Sequence, residues 1–267
     1  MDDVCYLGII NLTPDSFSDG DPSPNPKRAL LQGKRLLAQG ATVLDIGAES
    51  TRPGASPIDQ AEEWGRLRPG LDMLRSECPD CMLSVDTRNA ETAALALERG
   101  ADIINDVTGF HSREMLDLAK KSDCGLIAVR SRFPEGDIRT PDYSDAAPKT
   151  ARSALQELET VKNCLLDGGI EPDRMLLDPG FGFGTTFLED SAIWGVLGEM
   201  PTFLDWPVER FCIGISRKRF VARRFGVAEN NPLDGKTAEL HKTAANMGYG
   251  VFRTHSITGG PIAKRQA

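Results

Sequence analysis

Short apolar runs alternate with longer amphipathic stretches from one end of the chain to the other. Eight runs stand out, at residues 4–10, 42–47, 82–86, 102–107, 125–129, 175–178, 211–216 and 251–255. Each is nearly continuous in apolar character, the pattern of parallel strands covered on both faces. Between most of them leucines and alanines recur at helical spacing: Ala29, Leu30, Leu37 and Ala38 form one face, and Ala93, Ala94 and Leu97 begin another. The joints repeat as well. Gly40-Ala41 precedes the second run, Gly100-Ala101 the fourth and Gly168-Gly169 the sixth, and glycine is the usual left-handed residue closing a helix. Eight β-then-α units in 267 residues predict an α/β protein with a (β/α)8 TIM barrel; a doubly wound open sheet is the alternative. No Pro/Ser/Gly tract separates domains, so residues 1–267 read as one domain. Only twelve residues follow His255, Gly259, Gly260 and Pro261 among them, so the eighth helix is expected to be short or missing.

Charge and composition then narrow the function. The chain has 39 acidic against 31 basic residues, a net charge of −8, with 40% hydrophobic and 26% charged residues, ordinary values for a globular protein. An acidic total without a basic block argues against a dedicated nucleic-acid binder. No run of 18 apolar residues is present, so no membrane span is expected. The first apolar run has neither a basic region before it nor a small-residue cleavage site after it, so no signal peptide is expected and the location reads as cytoplasmic. The six cysteines read as free thiols. Cys78-Pro-Asp-Cys81 has motif spacing, but no second ligand pair or thioredoxin-like context accompanies it, and it reads as a loop.

In a barrel of this kind the chemistry lies at the C-terminal ends of the strands. Those ends carry Asn11, Asp45, Asp86, Asn105 with Asp106, Arg130, Asp178, Ser216-Arg217-Lys218, and Arg253 with His255. Polar loops alone account for one or two such residues, not for a carboxylate, amide or cation at nearly every end. Asp178-Pro-Gly-Phe-Gly-Phe-Gly184 lets backbone approach a ligand closely, but it is neither a P-loop nor a dinucleotide fingerprint. Ser216-Arg217-Lys218 opens a helical stretch, which suits an anion. Arg253 and His255 lie two positions apart, on one side of their strand, and could clamp a phosphate; His255 alone reads equally well as a capping or packing residue.

Taken together, these segments resemble a known family. Asn11-Leu-Thr-Pro-Asp-Ser-Phe-Ser-Asp-Gly20 and Asp45-Ile-Gly-Ala-Glu-Ser-Thr-Arg-Pro-Gly-Ala55 are similar to the two signature loops of dihydropteroate synthase. Ser84-Val-Asp-Thr87, Ile104-Asn-Asp-Val107, Leu177-Asp-Pro-Gly-Phe-Gly-Phe-Gly184, Gly214-Ile-Ser-Arg-Lys218 and Arg253-Thr-His255 match later motifs of that family in order, so the likeness runs from about residue 6 to residue 255. The resemblance implies a (β/α)8 barrel and a transferase of folate biosynthesis, a sulfonamide target. That enzyme joins 7,8-dihydropterin-6-ylmethyl diphosphate to 4-aminobenzoate, releasing diphosphate and forming 7,8-dihydropteroate. It places the pterin at Asp86, Asn105, Asp178 and Lys218, and the diphosphate at Asn11, Arg52, Arg253 and His255, with Mg²⁺ bound near Asn11. It places 4-aminobenzoate at Thr51, Arg52, Pro53, Phe183 and Lys218, and implies a homodimer. Asp15, Arg52, Lys218, Arg253 and His255 are its implied catalytic residues, with Asp15 expected to stabilise a pterin cation formed as diphosphate leaves.

The chain departs from the family's pattern at four places. Thr185 stands where many members have a lysine, and Ala128-Val129-Arg130 replaces a Met-His-Met ending of the fifth strand. Arg219 replaces the serine that helps bind the aminobenzoate carboxylate, and could pair with that carboxylate in a different geometry. Ser256 replaces an acid after the histidine. The departures cluster around pterin packing and the second substrate. Two alternatives share the pterin pocket: a paralogue that binds pterin without synthase activity, and a domain passing a methyl group from pterin to a corrinoid. Retention of Arg52, Arg253 and His255 speaks against the first, and the two signature loops against the second.

Overall fold

The computed structural model describes residues 4–13, 25–50, 55–132 and 150–261. Eight parallel strands form its centre: β1 (Cys5–Asn11), β2 (Val43–Gly47), β3 (Met82–Asp86), β4 (Ile103–Asp106), β5 (Gly125–Val129), β6 (Met175–Asp178), β7 (Cys212–Ile213) and β8 (Val251–Thr254). Hydrogen-bonded neighbours run in the order β6-β5-β4-β3-β2-β1-β8-β7. A parallel bridge between Leu177 and Phe211 brings the two ends together, so the sheet is a nearly closed barrel and not an open one. Every apolar run in the sequence holds one strand, β1 alone extending a residue past its run.

Helices α1 (Pro26–Ala38), α2 (Gln60–Glu77), α3 (Ala90–Glu98), α4 (Arg113–Lys121) and α5 (Ala151–Asp167) follow the first five strands in turn. Two helices follow β6, namely α6 (Phe187–Gly195) and α7 (Met200–Leu204), and two follow β7, namely α8 (Arg219–Arg224) and α9 (Asp234–Ala245). The glycine joints form as the sequence predicts. Gly40, Gly100 and Gly169 have φ of +105°, +86° and +83°, and each closes a helix with a paired backbone motif. After α1, for example, the Gly40 amide donates to Leu37 and the Ala41 amide to Leu36, both at 3.0 Å.

The near-continuous apolar runs have a simple cause. Successive strand residues point to opposite faces, and both faces are covered. Leu44, Ile46, Leu83, Val85, Ile104, Leu126, Leu177 and Phe252 face outward, into a core shared with Leu36, Leu71, Leu74, Ala93 and Leu158 of the helices. Leu7, Val43, Ile103, Ile127, Val129 and Cys212 face inward and pack with one another inside the barrel. The inward positions that follow them, towards the C-terminal ends, turn polar: Asp45, Asp86, Asn105, Asp178, Arg253. The apolar filling is thus a floor, and the polar residues line the mouth above it.

No helix follows β8 among the described residues, which extend to Pro261. This short segment packs instead against the outside of β1. Ile257 is buried with its amide donating to Gln39 Oε1 at 3.3 Å, and the Tyr6 hydroxyl donates to the Pro261 carbonyl at 2.9 Å. All six cysteines are free thiols. No helix among the described residues is long and apolar enough to cross a membrane.

Candidate active site

Asp45 sits at the centre of the mouth and is fully buried. It accepts from Ser84 Oγ at 2.5 Å, from Arg253 Nε at 2.6 Å and, at 3.4 Å, from Asn105 Nδ2. A second Arg253 nitrogen donates to Asp86. One guanidinium from β8 therefore bridges carboxylates from β2 and β3, the forked geometry that arginine provides. Burial pushes the Asp86 carboxyl up to about 7; the Arg253 charge opposes that shift and Asp45 adds to it. Burial works against the Arg253 charge too, but Asp45 and Asp86 outweigh it and hold the guanidinium firmly protonated.

Asn105 Oδ1 is buried and has no hydrogen-bond partner among the described residues. A buried acceptor left unpaired costs about 1–3 kcal/mol, so a ligand N–H that reached this oxygen would gain from it. Across the mouth, Asp178 ends β6 with Oδ1 accepting the Gly180 amide at 2.7 Å. Burial raises the Asp178 carboxyl above its usual range, while Lys218 and the Gly180 amide pull it down. Lys218 donates to the Phe181 carbonyl and lies 3.9 Å from the centroid of the Phe183 ring. Its ammonium is lowered to about 8 by burial, with Asp178 opposing. The remaining polar cluster joins β1, β7 and β8. Asn11 Nδ2 lies 3.5 Å from His255 Nε2, His255 Nδ1 lies 3.0 Å from Ser216 Oγ, and the His255 amide donates to that same Oγ at 3.1 Å. The result is a layer of paired charges above the apolar floor, with one open acceptor at Asn105 Oδ1, bordered on one rim by an amide, an imidazole and a hydroxyl.

This geometry can be compared with known proteins. The family model for pterin binding enzymes matches residues 7–255. A dihydropteroate synthase from Streptococcus pyogenes is 36% identical over 258 residues, covering 95% of this chain and 91% of its own. The chain belongs to the dihydropteroate synthase family. Among solved structures of the family, the Xanthomonas albilineans dihydropteroate synthase with 4-aminobenzoic acid is similar at a TM-score of 0.82 and 31% identity, covering 97% of this chain and 89% of its own. The same synthase in complex with 7,8-dihydropteroate is similar at a TM-score of 0.79 and 28% identity, over 97% and 90% of the two chains.

Against the family's expected site, the structure brings Asp86, Asn105, Asp178 and Lys218 to one mouth, with Phe183 against Lys218 and with Asn11 and His255 in contact. Arg253 and His255 do share one side of β8, but the Arg253 guanidinium is engaged by two carboxylates and is not a bare cation. Arg217 faces away: it has φ of +58° and forms a two-bond pair with Asp234 of α9, at 2.7 and 2.9 Å. Arg219 is exposed in the first turn of α8. Asp15, Thr51, Arg52 and Pro53 lie outside the described residues.

The departures resolve into specific contacts. Val129 faces the barrel interior with Phe183. Arg130 is buried, donating to the Pro179 carbonyl at 2.8 Å and to Glu157 at 2.6 Å, while Thr185 is buried and donates to Asp190 at 2.6 Å. Two residues missed by sequence reasoning, and one read only in part, shape the site. Asp45 was visible only as one more polar strand end, and its hub role depends on three other strands. Glu63, in the first turn of α2, accepts from Thr87 and Thr92, each at 2.7 Å, and so fixes the end of β3. Asp190 follows a readable capping box at Thr186 and Glu189, but nothing in its spacing signals that it turns back towards the mouth.

Proposed function

We propose that the chain carries out the dihydropteroate synthase reaction. It joins 7,8-dihydropterin-6-ylmethyl diphosphate to 4-aminobenzoate, yielding 7,8-dihydropteroate and diphosphate. One observation carries this reading: the buried, unpaired acceptor Asn105 Oδ1 faces a mouth that also holds the Asp178 carboxylate and the Lys218 ammonium. A pterin shows an amino group and a ring N–H side by side, and a carboxylate accepts from both. Asn105 Oδ1 takes a further N–H, and Lys218 donates to the ring carbonyl and nitrogen. Asp86 is held for the same ring by Arg253.

The reaction is a displacement at the methylene carbon. The C–O bond to diphosphate breaks with its electron pair leaving on the diphosphate oxygen. The arylamine nitrogen then forms the C–N bond and loses a proton. No protein nucleophile is required. Asn11 and His255 border the leaving group, together with Arg52 from the second loop, while Asp15 from the first loop stabilises the cation. Arg253 acts from beneath. Phe183, Lys218, Thr51, Pro53 and Arg219 surround the aminobenzoate.

Mg²⁺ belongs to this proposal. No group of three or more His, Cys, Asp or Glu side chains among the described residues is arranged to hold a metal ion. With its amide nitrogen on His255, Asn11 retains one carbonyl oxygen as a donor. A hard cation that keeps its waters and shares substrate phosphates fits that donor set. Bound there, it would neutralise charge developing on the departing diphosphate. A homodimer of single-domain barrels spanning residues 1–267, located in the cytoplasm, completes the reading.

The test is diphosphate release with Mg²⁺, with and without 4-aminobenzoate. Dihydropteroate formed only when both substrates are present is the expected result. Pterin binding without turnover in the presence of both would overturn it.

A further inference from the structure

We infer that Asp190 is a positioning residue for the Phe183 wall, and so sets affinity for the arylamine more than for the pterin. The inference rests on the synthase reading above. Phe183 sits between Gly182 and Gly184, both with φ of +72°. Glycines in that region give a loop little stiffness of its own, so the ring's position must be imposed from outside. Asp190 imposes it. The residue belongs to the first turn of α6, yet it does not cap that helix, because Thr186 and Glu189 already form a capping box. Its buried carboxylate reaches back instead. Oδ1 accepts the Gly182 amide at 3.1 Å and the Thr185 hydroxyl at 2.6 Å, and the Thr185 oxygen itself accepts the Gly182 amide at 2.9 Å.

Gly182 transmits this restraint to both neighbours. A Cβ on Gly182 would lie 3.1 Å from Lys218 Cδ, so its bare backbone is packed on the lysine stem. The Lys218 ammonium in turn lies 3.9 Å from the centre of the Phe183 ring. The Arg132 amide donates to the Phe183 carbonyl at 3.3 Å and holds the loop from the β5 side. The pterin acceptor Asp178 is anchored separately, by the Gly180 amide. The loop therefore has two anchors, one at Gly180 under the pterin and one at Gly182 under the wall for the second substrate, joined where the Phe183 amide donates to the Gly180 carbonyl at 3.3 Å. Thr185, where many relatives have a lysine, supplies the hydroxyl that the second anchor uses.

The experiment compares Asp190→Ala, Asp190→Asn and Thr185→Val by steady-state kinetics and by direct titration with the dihydropterin diphosphate. Asp190→Ala is expected to raise KM for 4-aminobenzoate at least tenfold, with a rise in pterin Kd at least threefold smaller. Thr185→Val gives a smaller rise, and Asp190→Asn, which keeps an acceptor oxygen, restores parental KM to within threefold. Equal losses for both substrates, or no change in arylamine KM, would overturn the inference, and Thr185→Val carries the test if Asp190→Ala does not fold. Amide hydrogen exchange across residues 181–185 reads the anchor independently of turnover. Faster exchange there in Asp190→Ala supports the anchor even if the parent forms no dihydropteroate, an outcome that would sink the synthase reading alone; unchanged exchange overturns the anchor itself.

Discussion

Gly214 permits a direct test of the pterin assignment that removes no polar group from the mouth. Its backbone lies against Asp178, and a Cβ built there would stand 2.8 Å from Asp178 Oδ2, well inside van der Waals contact. The carboxylate cannot simply swing aside, because Oδ1 is fixed by the Gly180 amide at 2.7 Å and the side chain is 1% exposed. Gly214→Ala therefore moves the acceptor by a few tenths of an ångström or breaks its anchor. A hydrogen bond to a charged group contributes about 1.5–3 kcal/mol. Losing one of the two bonds that Asp178 offers a pterin should weaken binding roughly 10- to 150-fold. Calorimetric titration with the dihydropterin diphosphate measures this, with thermal melts confirming that the variant folds. Asp178→Ala should lose at least as much, and adding Gly214→Ala to it should lose little more, since contacting residues couple in a double-mutant cycle. The reasoning fails if Gly214→Ala binds pterin within threefold of the parent. It also fails if the full effect of Gly214→Ala persists once Asp178 is already alanine.

Three further outcomes are expected. Lys218 titrates at about 8, so kcat/KM for the pterin substrate should fall as pH rises through that value and the donor loses its proton. Lys218→Arg should remove this alkaline limb, whatever it does to the maximum. His241, buried against Phe252 with ring centroids 4.6 Å apart, has its imidazole lowered by burial to about 3. The unfolded chain therefore binds a proton there that the folded chain refuses, and stability is lost as pH falls below about 6.5, by roughly 2 kcal/mol at pH 5; urea melts of His241→Phe should show that acid loss reduced. Arg132 and Glu189 form an ion pair with both side chains 2% exposed, so Arg132→Met alone, which removes this cation from a buried carboxylate, should destabilise by about 3–5 kcal/mol, whereas Arg132→Met with Glu189→Leu should recover only part of that loss in the same melts, because Glu189 also accepts the Thr186 amide in the capping box of α6.

The barrel was legible because its signals are local. Residues such as Val43, Leu44, Asp45 and Ile46 alternate between two buried faces, and a run that is apolar on both sides reads as a strand without any knowledge of its neighbours. The glycines at 40, 100 and 169 likewise announce their helix ends through a backbone conformation that few other residues adopt. Boundaries were less secure. The run at 211–216 pairs with β8 only at Cys212 and Ile213, because the chain beyond it turns into the mouth to place Gly214 and Ser216. The site was readable as a set of polar strand ends but not as a network. Arg253 is separated from Asp86 by 167 positions and from Asp45 by 208, so no spacing rule shows that its charge is already partnered. Arg217 illustrates the converse: it neighbours Lys218 in sequence, yet its left-handed backbone turns it to Asp234 and out of the site.

The distribution of charge in the mouth bears on how such an acidic protein handles a substrate with a strongly anionic leaving group. Asp45, Asp86 and Asp178 face two cations, Arg253 and Lys218, and both cations are already engaged with those carboxylates or with backbone. This polar layer above the apolar floor therefore carries at least as much negative as positive charge, and it is largely buried, so each interaction there is stronger than in water. Such a surface would bind a diphosphate poorly. On the proposed reading it does not need to: it meets the pterin ring, which turns cationic as the C–O bond breaks, and stabilisation aimed at charge that develops during reaction favours the transition state over the ground state. The proposal gives the leaving diphosphate a different surface, the rim where Asn11, His255 and Ser216 converge from β1, β8 and the segment after β7. Separating a cation-stabilising layer from an anion-receiving rim assists ionisation of the bond between them. On the same proposal Arg253, paired with Asp45 and Asp86, orients two carboxylates beneath the pterin, a task in which its own neutralisation is the useful property.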